Sequence, residues 1–215
     1  MKQTRILIVD DHPLVRQGLS LNLATQPDFE VCGEVETEHE AMEMVEKMQP
    51  DLMLIDISLR SGNGIEVIKQ VKNRHPRIKM LAISAFQENF YGERVLRAGA
   101  SGYLNKQESQ TRLLEAVRTV LRGERFVSFQ LSRRLIAQAL EGSGETRETT
   151  ELLSNRELEV FRMIGQGLTT GVIASKLHLS RHTIDSHREN IKRKIGARNS
   201  GELNRKAIQW FLENG

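Results

Sequence analysis

Between residues 5 and 122, short apolar runs alternate with stretches whose apolar residues return every three to four positions. The runs are RILIV, FEVCGEV, LMLIDI, MLAIS and GYLN. ILIV and LMLI are continuous, as in strands buried on both faces of a parallel sheet. In EHEAMEMVEKM, Ala41, Met44, Val45 and Met48 stand at i, i+3, i+4 and i+7. Leu113, Leu114, Val117, Val120 and Leu121 make a similar stripe in TRLLEAVRTVL, so both stretches predict helices with one buried face. The methionines read as core filling rather than as soft metal ligands. Five such β/α repeats, joined by right-handed crossovers, predict an α/β domain over residues 1–122 built on a doubly wound five-stranded parallel sheet.

The pattern changes after residue 122. FQLSRRLIAQAL predicts a helix with Leu131, Leu135, Ile136 and Ala139 on one side, and EGSGETRETTE reads as flexible tether. Residues 123–151 are therefore expected to be a linker with a helical segment. Residues 152–215 predict an all-α domain of four helices. LLSNRELEVFRMI opens with a capping box, Ser154 with Glu157, and a hydrophobic staple, Leu153 with Leu158. TTGVIASKL, SRHTIDSHRENIKRKIG and SGELNRKAIQWFLEN follow, and the three-residue turn HLS gives the second and third the spacing of a helix-turn-helix.

At about 100° per residue, Ile184, Ile191 and Ile195 fall within about 40° of one another, with His187 at the margin. The opposite side carries His182, Asp185, Ser186, Glu189 and Arg193, flanked by Lys192. Such a helix packs on one stripe and offers the other to a major groove. Arg181, Arg188, Lys192, Arg193 and Lys194 are candidates for phosphate contacts, which position without specifying, and Thr183 completes the candidate DNA set.

Composition adds bounds. At 215 residues, 39% hydrophobic and 27% charged, the chain has room for one large or two small domains of an ordinary soluble protein. A single cysteine, Cys32, excludes an intrachain disulfide and reads as a buried structural thiol in a reducing compartment. No stretch approaches the roughly 20 apolar residues of a membrane span, and no signal-peptide pattern stands at the start, so a cytoplasmic protein without a membrane partner is expected. Charge is uneven: residues 1–122 hold 16 Lys/Arg against 17 Asp/Glu, whereas residues 151–215 hold 11 against 7. The positive excess lies where a polyanionic partner would be attracted.

Doubly wound sheets place their chemistry at the carboxyl ends of the strands. There stand Asp10 and Asp11 after the first run, Asp56 after the third, Ser84 after the fourth and Lys106 after the fifth. Three carboxylates meeting at one edge would hold a hard cation such as Mg²⁺, with Lys106 offsetting the remaining charge or binding a second anion.

ILIVDDHPLVRQGL, LMLIDISL, GNGIEVI, LAISA and AGASGYLNK together resemble the receiver domain of bacterial two-component response regulators, over about 120 residues. The resemblance implies a flavodoxin-like fold, with Asp56 as phosphoacceptor. It further implies Mg²⁺ held directly by Asp11, through water by Asp10, and by Asp56 and the backbone carbonyl of Ser58. Lys106 would pair with a phosphoryl oxygen, and Ser84 and Tyr103 would act as the switch. Two departures are Leu59-Arg60, where Met-Pro is frequent, and Gln107, where a proline often follows the lysine.

Residues 152–212 resemble the LuxR-type helix-turn-helix of NarL/FixJ regulators through LSNRELEV, the IASKL–LS–TI series and the H, NI and KI that follow. They depart at Thr170-Gly171-Val172, where a polar and acidic run is common, and at Asp185 and Glu189. Carboxylates repel phosphates but accept a proton from cytosine N4. In this family the last helix, here with Ala207, Ile208, Trp210 and Phe211, often pairs two protomers; an intramolecular core is the competing use. Together the resemblances imply a transcription factor phosphorylated by a sensor histidine kinase, binding double-stranded DNA as a homodimer, with RNA polymerase as a further partner. It would be no enzyme beyond its own phosphotransfer and dephosphorylation. An aspartyl-phosphate hydrolase of the haloacid dehalogenase type would carry DxD after the first strand, where this chain has Asp-Asp-His-Pro. An adaptor working without phosphorylation is disfavoured by the intact set of Asp10, Asp11, Asp56, Ser84 and Lys106, while Leu59-Arg60 keeps it open.

Overall fold

The continuous apolar runs become the inner strands of a sheet. The structure, a computed structural model, describes residues 3–59, 62–141 and 149–214. Strands β1 (Thr4–Val9), β2 (Phe29–Val35), β3 (Leu52–Asp56), β4 (Lys79–Ser84) and β5 (Gly102–Asn105) pair in parallel in the order β2-β1-β3-β4-β5. Ile6, Leu7, Ile8 and Val9 of β1 have no exposed surface, nor do Leu52, Met53 and Ile55 of β3. The edge strand β2 is less covered: Phe29, Cys32 and Val35 are buried, whereas Glu30 and Glu34 are exposed. Its register against β1 jumps from Val31 to Gly33, leaving Cys32 at the irregularity; Cys32 is buried, and burial pushes its thiol up.

Between the strands run α1 (Pro13–Ala24), α2 (Glu38–Met48), α3 (Gly64–Arg74) and α4 (Glu88–Ala98), with α5 (Gln110–Leu121) after β5. Leu23 of α1 and Leu113, Ala116, Val117 and Val120 of α5 pack with Ile6, Ile8, Leu54 and Leu81 into one core layer. Leu7 points the other way, so that a side chain at Gly33 would meet both it and Met44 of α2. As the stripe predicts, Ala41 and Val45 are buried and Met44 and Met48 half-buried.

The chain divides into two units, Met1–Ala137 and Gln138–Gly215. Helix α6 (Phe129–Glu141) begins in the first, and the expected four-residue stripe is narrower than foreseen. Leu131 is buried, Leu135 is half-buried, Ile136 is 59% exposed and the side chain of Ala139 lies outside the described residues. The reason is local: Leu131 sits on Gly92 of α4, where an added Cβ would lie 2.6 Å from its Cδ2. The segment before α6 is also tied down. Phe126 bridges Gly102, its carbonyl accepts from the Tyr103 amide (2.9 Å), and Ser128 donates its amide to the Glu88 carboxylate (2.9 Å). Of the expected tether, residues 142–148 lie outside the described residues, while Thr149–Leu152 form a 3-10 turn with Thr150 buried.

The second unit holds α7 (Asn155–Gly165), α8 (Thr170–Lys176), α9 (Arg181–Ile195) and α10 (Ser200–Asn214). The Ser154–Glu157 capping box is present, and Leu153 and Leu158 are buried beside it. His178 takes a left-handed conformation (φ 53°) in the turn between α8 and α9, and Ser180 caps α9 by accepting from the Thr183 amide. Gly165 lets α7 and α10 approach closely, since a Cβ there would lie 2.5 Å from the Ala207 carbonyl oxygen.

Candidate functional site

Asp10, Asp11 and Asp56 come together at the carboxyl edge of the sheet with exposures of 1%, 6% and 2%. Three buried carboxylates repel unless cations sit among them. Lys106, from the end of β5, does so: its Nζ lies 2.6 Å from Asp10 Oδ2 and 2.7 Å from Asp56 Oδ2. Burial pushes the Asp56 carboxyl above its ordinary range, with Lys106 working against that shift and Asp10 with it. Burial opposes charge on Lys106 as well, yet Asp56 and Asp10 together hold its ammonium above the ordinary value.

A fourth member was not singled out from the sequence. His12 Nδ1 lies 2.7 Å from Asp11 Oδ1, 3.2 Å from Asp10 Oδ1 and 3.9 Å from Asp56 Oδ2. The signal was its place directly after the acidic pair. Ligand atoms of Asp10, Asp11, His12 and Asp56 all fall within 4.8 Å of one another, so these residues could hold a metal ion. A donor set dominated by carboxylate oxygen, with three acidic groups against one lysine, fits a hard divalent cation. Arg16 fixes the frame by donating to the Asp10 carbonyl and pairing with Glu36.

The loop after Asp56 is equally constrained. Ser58 donates its amide to Asp56 Oδ1 (3.0 Å), Leu59 is buried, and Arg60 lies outside the described residues. Gly64, the first residue of α3, passes so close that a Cβ would fall 1.9 Å from the Asp56 carbonyl oxygen. Only glycine fits there.

Ser84 is fully buried at the end of β4, and its Oγ accepts from the Phe86 amide (3.1 Å). The Phe86 carbonyl in turn accepts from Tyr103 Oη (2.8 Å) and Asn105 Nδ2 (2.9 Å). Tyr103 is therefore inward, 3% exposed, and burial holds its phenol well above the usual range. The Lys106 amide donates to the Ser84 carbonyl (2.7 Å), tying together the two strand ends that carry the hydroxyl and the lysine.

In the helical unit, Ile184, Ile191 and Ile195 are buried and His182, Asp185, Ser186, Glu189 and Arg193 exposed, as the projection predicts. Arg181 is also exposed, and Thr183 is half-buried against the Ser180 cap. Lys192 pairs with Glu189 (2.8 Å), Arg193 with Asn190 (2.9 Å) and Arg188 with Asn204 (3.1 Å). Lys194 is half-buried and pairs with Glu157 at 2.6 Å, a buried capping carboxylate that needs a counter-charge. His187 is half-buried, and burial, with Arg156 beside it, lowers its pKa.

The last helix also divides. Ala207 is fully buried, Trp210 packs its ring 5.6 Å from that of Phe161, and Phe211 lies against Gly165. Ala207 is thus core rather than interface, because Gly165 draws α10 onto α7. Ile208 and Leu212 remain outside, 43% and 76% exposed.

Comparison with known proteins places both halves. Residues 6–118 match the response regulator receiver domain, and residues 151–207 match the bacterial regulatory proteins of the luxR family. The chain belongs to the NarL/FixJ family of response regulators. It is 33% identical to the transcriptional regulatory protein DegU of Brevibacillus brevis, covering 98% of this chain and 94% of that one. It is 35% identical to the oxygen regulatory protein NreC of Staphylococcus aureus, covering 97% and 98%. Among solved structures it is similar to RcsB of Salmonella enterica serovar Typhimurium bound to promoter rprA with a phosphomimetic. That match has a TM-score of 0.61 at 27% identity and covers 95% of this chain and 98% of that one. Among the described residues no helix is long and apolar enough to cross a membrane.

Proposed function

We propose that this response regulator is a cytoplasmic transcription factor whose Asp56 accepts a phosphoryl group from a phosphohistidine on a sensor kinase. The observation that carries the reading is the buried Asp56 carboxylate at the end of β3, 2.7 Å from Lys106 and beside Asp10 and Asp11. In the transfer an Asp56 oxygen forms a bond to phosphorus as the phosphorus–nitrogen bond breaks, and the imidazole keeps the electron pair and takes up a proton. Phosphoryl transfer depends chiefly on positioning and charge neutralisation. Asp11, Asp56 and the Ser58 carbonyl would hold Mg²⁺ directly and Asp10 through water. When bound, the ion neutralises charge between attacking carboxylate and phosphate.

Lys106 already bridges Asp10 and Asp56, so it exchanges a carboxylate contact for a phosphoryl oxygen as the group arrives. Ser84 is the coupled element. To donate to the phosphoryl group its hydroxyl turns from the Phe86 amide, which loosens the carbonyl that holds Tyr103 and Asn105. Raising an active population from about 1% to about 50% takes about 2.7 kcal/mol of bias. One charge-assisted bond from Lys106 and one hydroxyl bond from Ser84 are of that order.

The output is DNA binding as a dimer through the exposed face of α9, with RNA polymerase as a further partner. Arg181, Arg188, Lys192 and Arg193 would serve phosphates, and His182, Thr183, Asp185, Ser186 and Glu189 would face base edges. DNA-bound dimers are described for the relative RcsB, and the exposed Ile208 and Leu212 give α10 an apolar contact for a second copy. The test is intact-mass measurement with Mg²⁺ and a small phosphodonor. One phosphoryl group is expected on the wild type and none on Asp56→Asn. Equal labelling of the variant would overturn the assignment.

A further inference from the structure

Gly171 stands in the first turn of α8, where helix propensity alone makes glycine a poor choice. Its surroundings supply a reason. A Cβ built on Gly171 would lie 3.1 Å from Nη2, 3.3 Å from Nε and 3.4 Å from Cζ of Arg181, the first residue of α9. The guanidinium therefore rests against the bare backbone at the start of α8. Arg181 is exposed and has no hydrogen-bond or ion-pair partner among the described residues, although Asp185 stands one turn further along the same helix. A group with five N–H donors is held at the junction of two helix starts with its charge unanswered.

In helix-turn-helix docking the first helix crosses the DNA backbone while the start of the second enters the groove. We propose that Gly171 is a positioning residue for DNA binding: the missing side chain forms the seat that holds the Arg181 guanidinium where α8 meets a backbone phosphate. This rests on Arg181 being a phosphate contact. A longer side chain at position 171 fills the seat and turns Arg181 into solvent, so the cost falls on affinity rather than on folding.

The experiment titrates the full chain against a fluorescein-labelled duplex of mixed sequence at several salt concentrations. It compares wild type, Gly171→Gln, Arg181→Ala and the double variant. One lost phosphate contact lowers the slope of log K against log salt by about one, which is about eightfold in affinity at 0.1 M salt. Gly171→Gln and Arg181→Ala should each show that loss, and the double variant should show no more than either alone. Melting of Gly171→Gln should stay at or above wild type, because glutamine is the better helix former. Gly171→Ala should shift affinity in the same direction by less. A Gly171→Gln protein with wild-type affinity and slope overturns the proposal. So does a loss that persists in the Arg181→Ala background, which would mean that the new side chain meets DNA itself. If Arg181→Ala alone changes nothing, the reading of Arg181 as a phosphate contact has failed, and the seat with it.

Discussion

Replacing Lys194 with methionine should destabilise the helical unit and leave the salt dependence of DNA binding nearly untouched. The ammonium lies 2.6 Å from Glu157 Oε2, and the two side chains are 34% and 6% exposed. Methionine keeps the aliphatic stem but leaves a buried carboxylate with only the Ser154 amide and hydroxyl for company. Removing one partner of a fully buried pair typically costs about 3–5 kcal/mol; water reaching the exposed lysine end brings this to about 2–3 kcal/mol. For a domain of this size that lowers the melting midpoint by about 10–20 °C. Although burial works against its charged form, Lys194 and Ser154 together hold the Glu157 carboxyl below its ordinary value of 4.5. The pair's contribution is therefore complete above that value and disappears as pH falls through the lower folded-state pKa. Circular-dichroism melts at pH 7 and below 4.5 should show the variant's deficit shrinking in acid. Adding Glu157→Gln should recover part of the loss at pH 7. Unchanged melting with a salt slope reduced by about one would mean that Lys194 serves DNA after all.

Three further outcomes can be checked. Gly64→Ala should slow phosphoryl acceptance at least tenfold and cost roughly 1–3 kcal/mol, because its Cβ falls 1.9 Å from the Asp56 carbonyl oxygen; wild-type kinetics by intact mass would refute this. Burial, then Arg156, lowers the pKa of His187 from its ordinary 6.5, so the stability tied to its neutral form is present above that value and lost as pH falls below it. His187→Gln should flatten the decline in melting midpoint from pH 7 to 5.5, and an unaltered decline would remove His187 from it. Asp185→Ala should tighten binding to a scrambled duplex and narrow the gap to a selected site by about 1–3 kcal/mol; equal shifts on both duplexes would show that Asp185 does not read sequence.

Elements set by periodicity were legible in the sequence, and contacts set by the approach of distant backbones were not. Continuous runs such as LMLI announced inner strands because burial on both faces removes any reason to alternate, and Asp10, Asp11, Asp56, Ser84 and Lys106 followed from their strand ends. Lys194 shows where projection stops. It lies about 80° from Ile184 around α9, so the flank of the buried stripe was readable. Its partner was not, since Glu157 announced itself only as the acid of a capping box on another helix. The glycines carry the same lesson more sharply. Gly64 and Gly92 look like liabilities in helices until Asp56 and Leu131 are placed against them. One admits the backbone carbonyl of Asp56, and the other admits Leu131 in the first turn of α6. Both contacts therefore depend on positions whose chemistry is only the absence of a side chain, which no pattern of polarity along a chain can express.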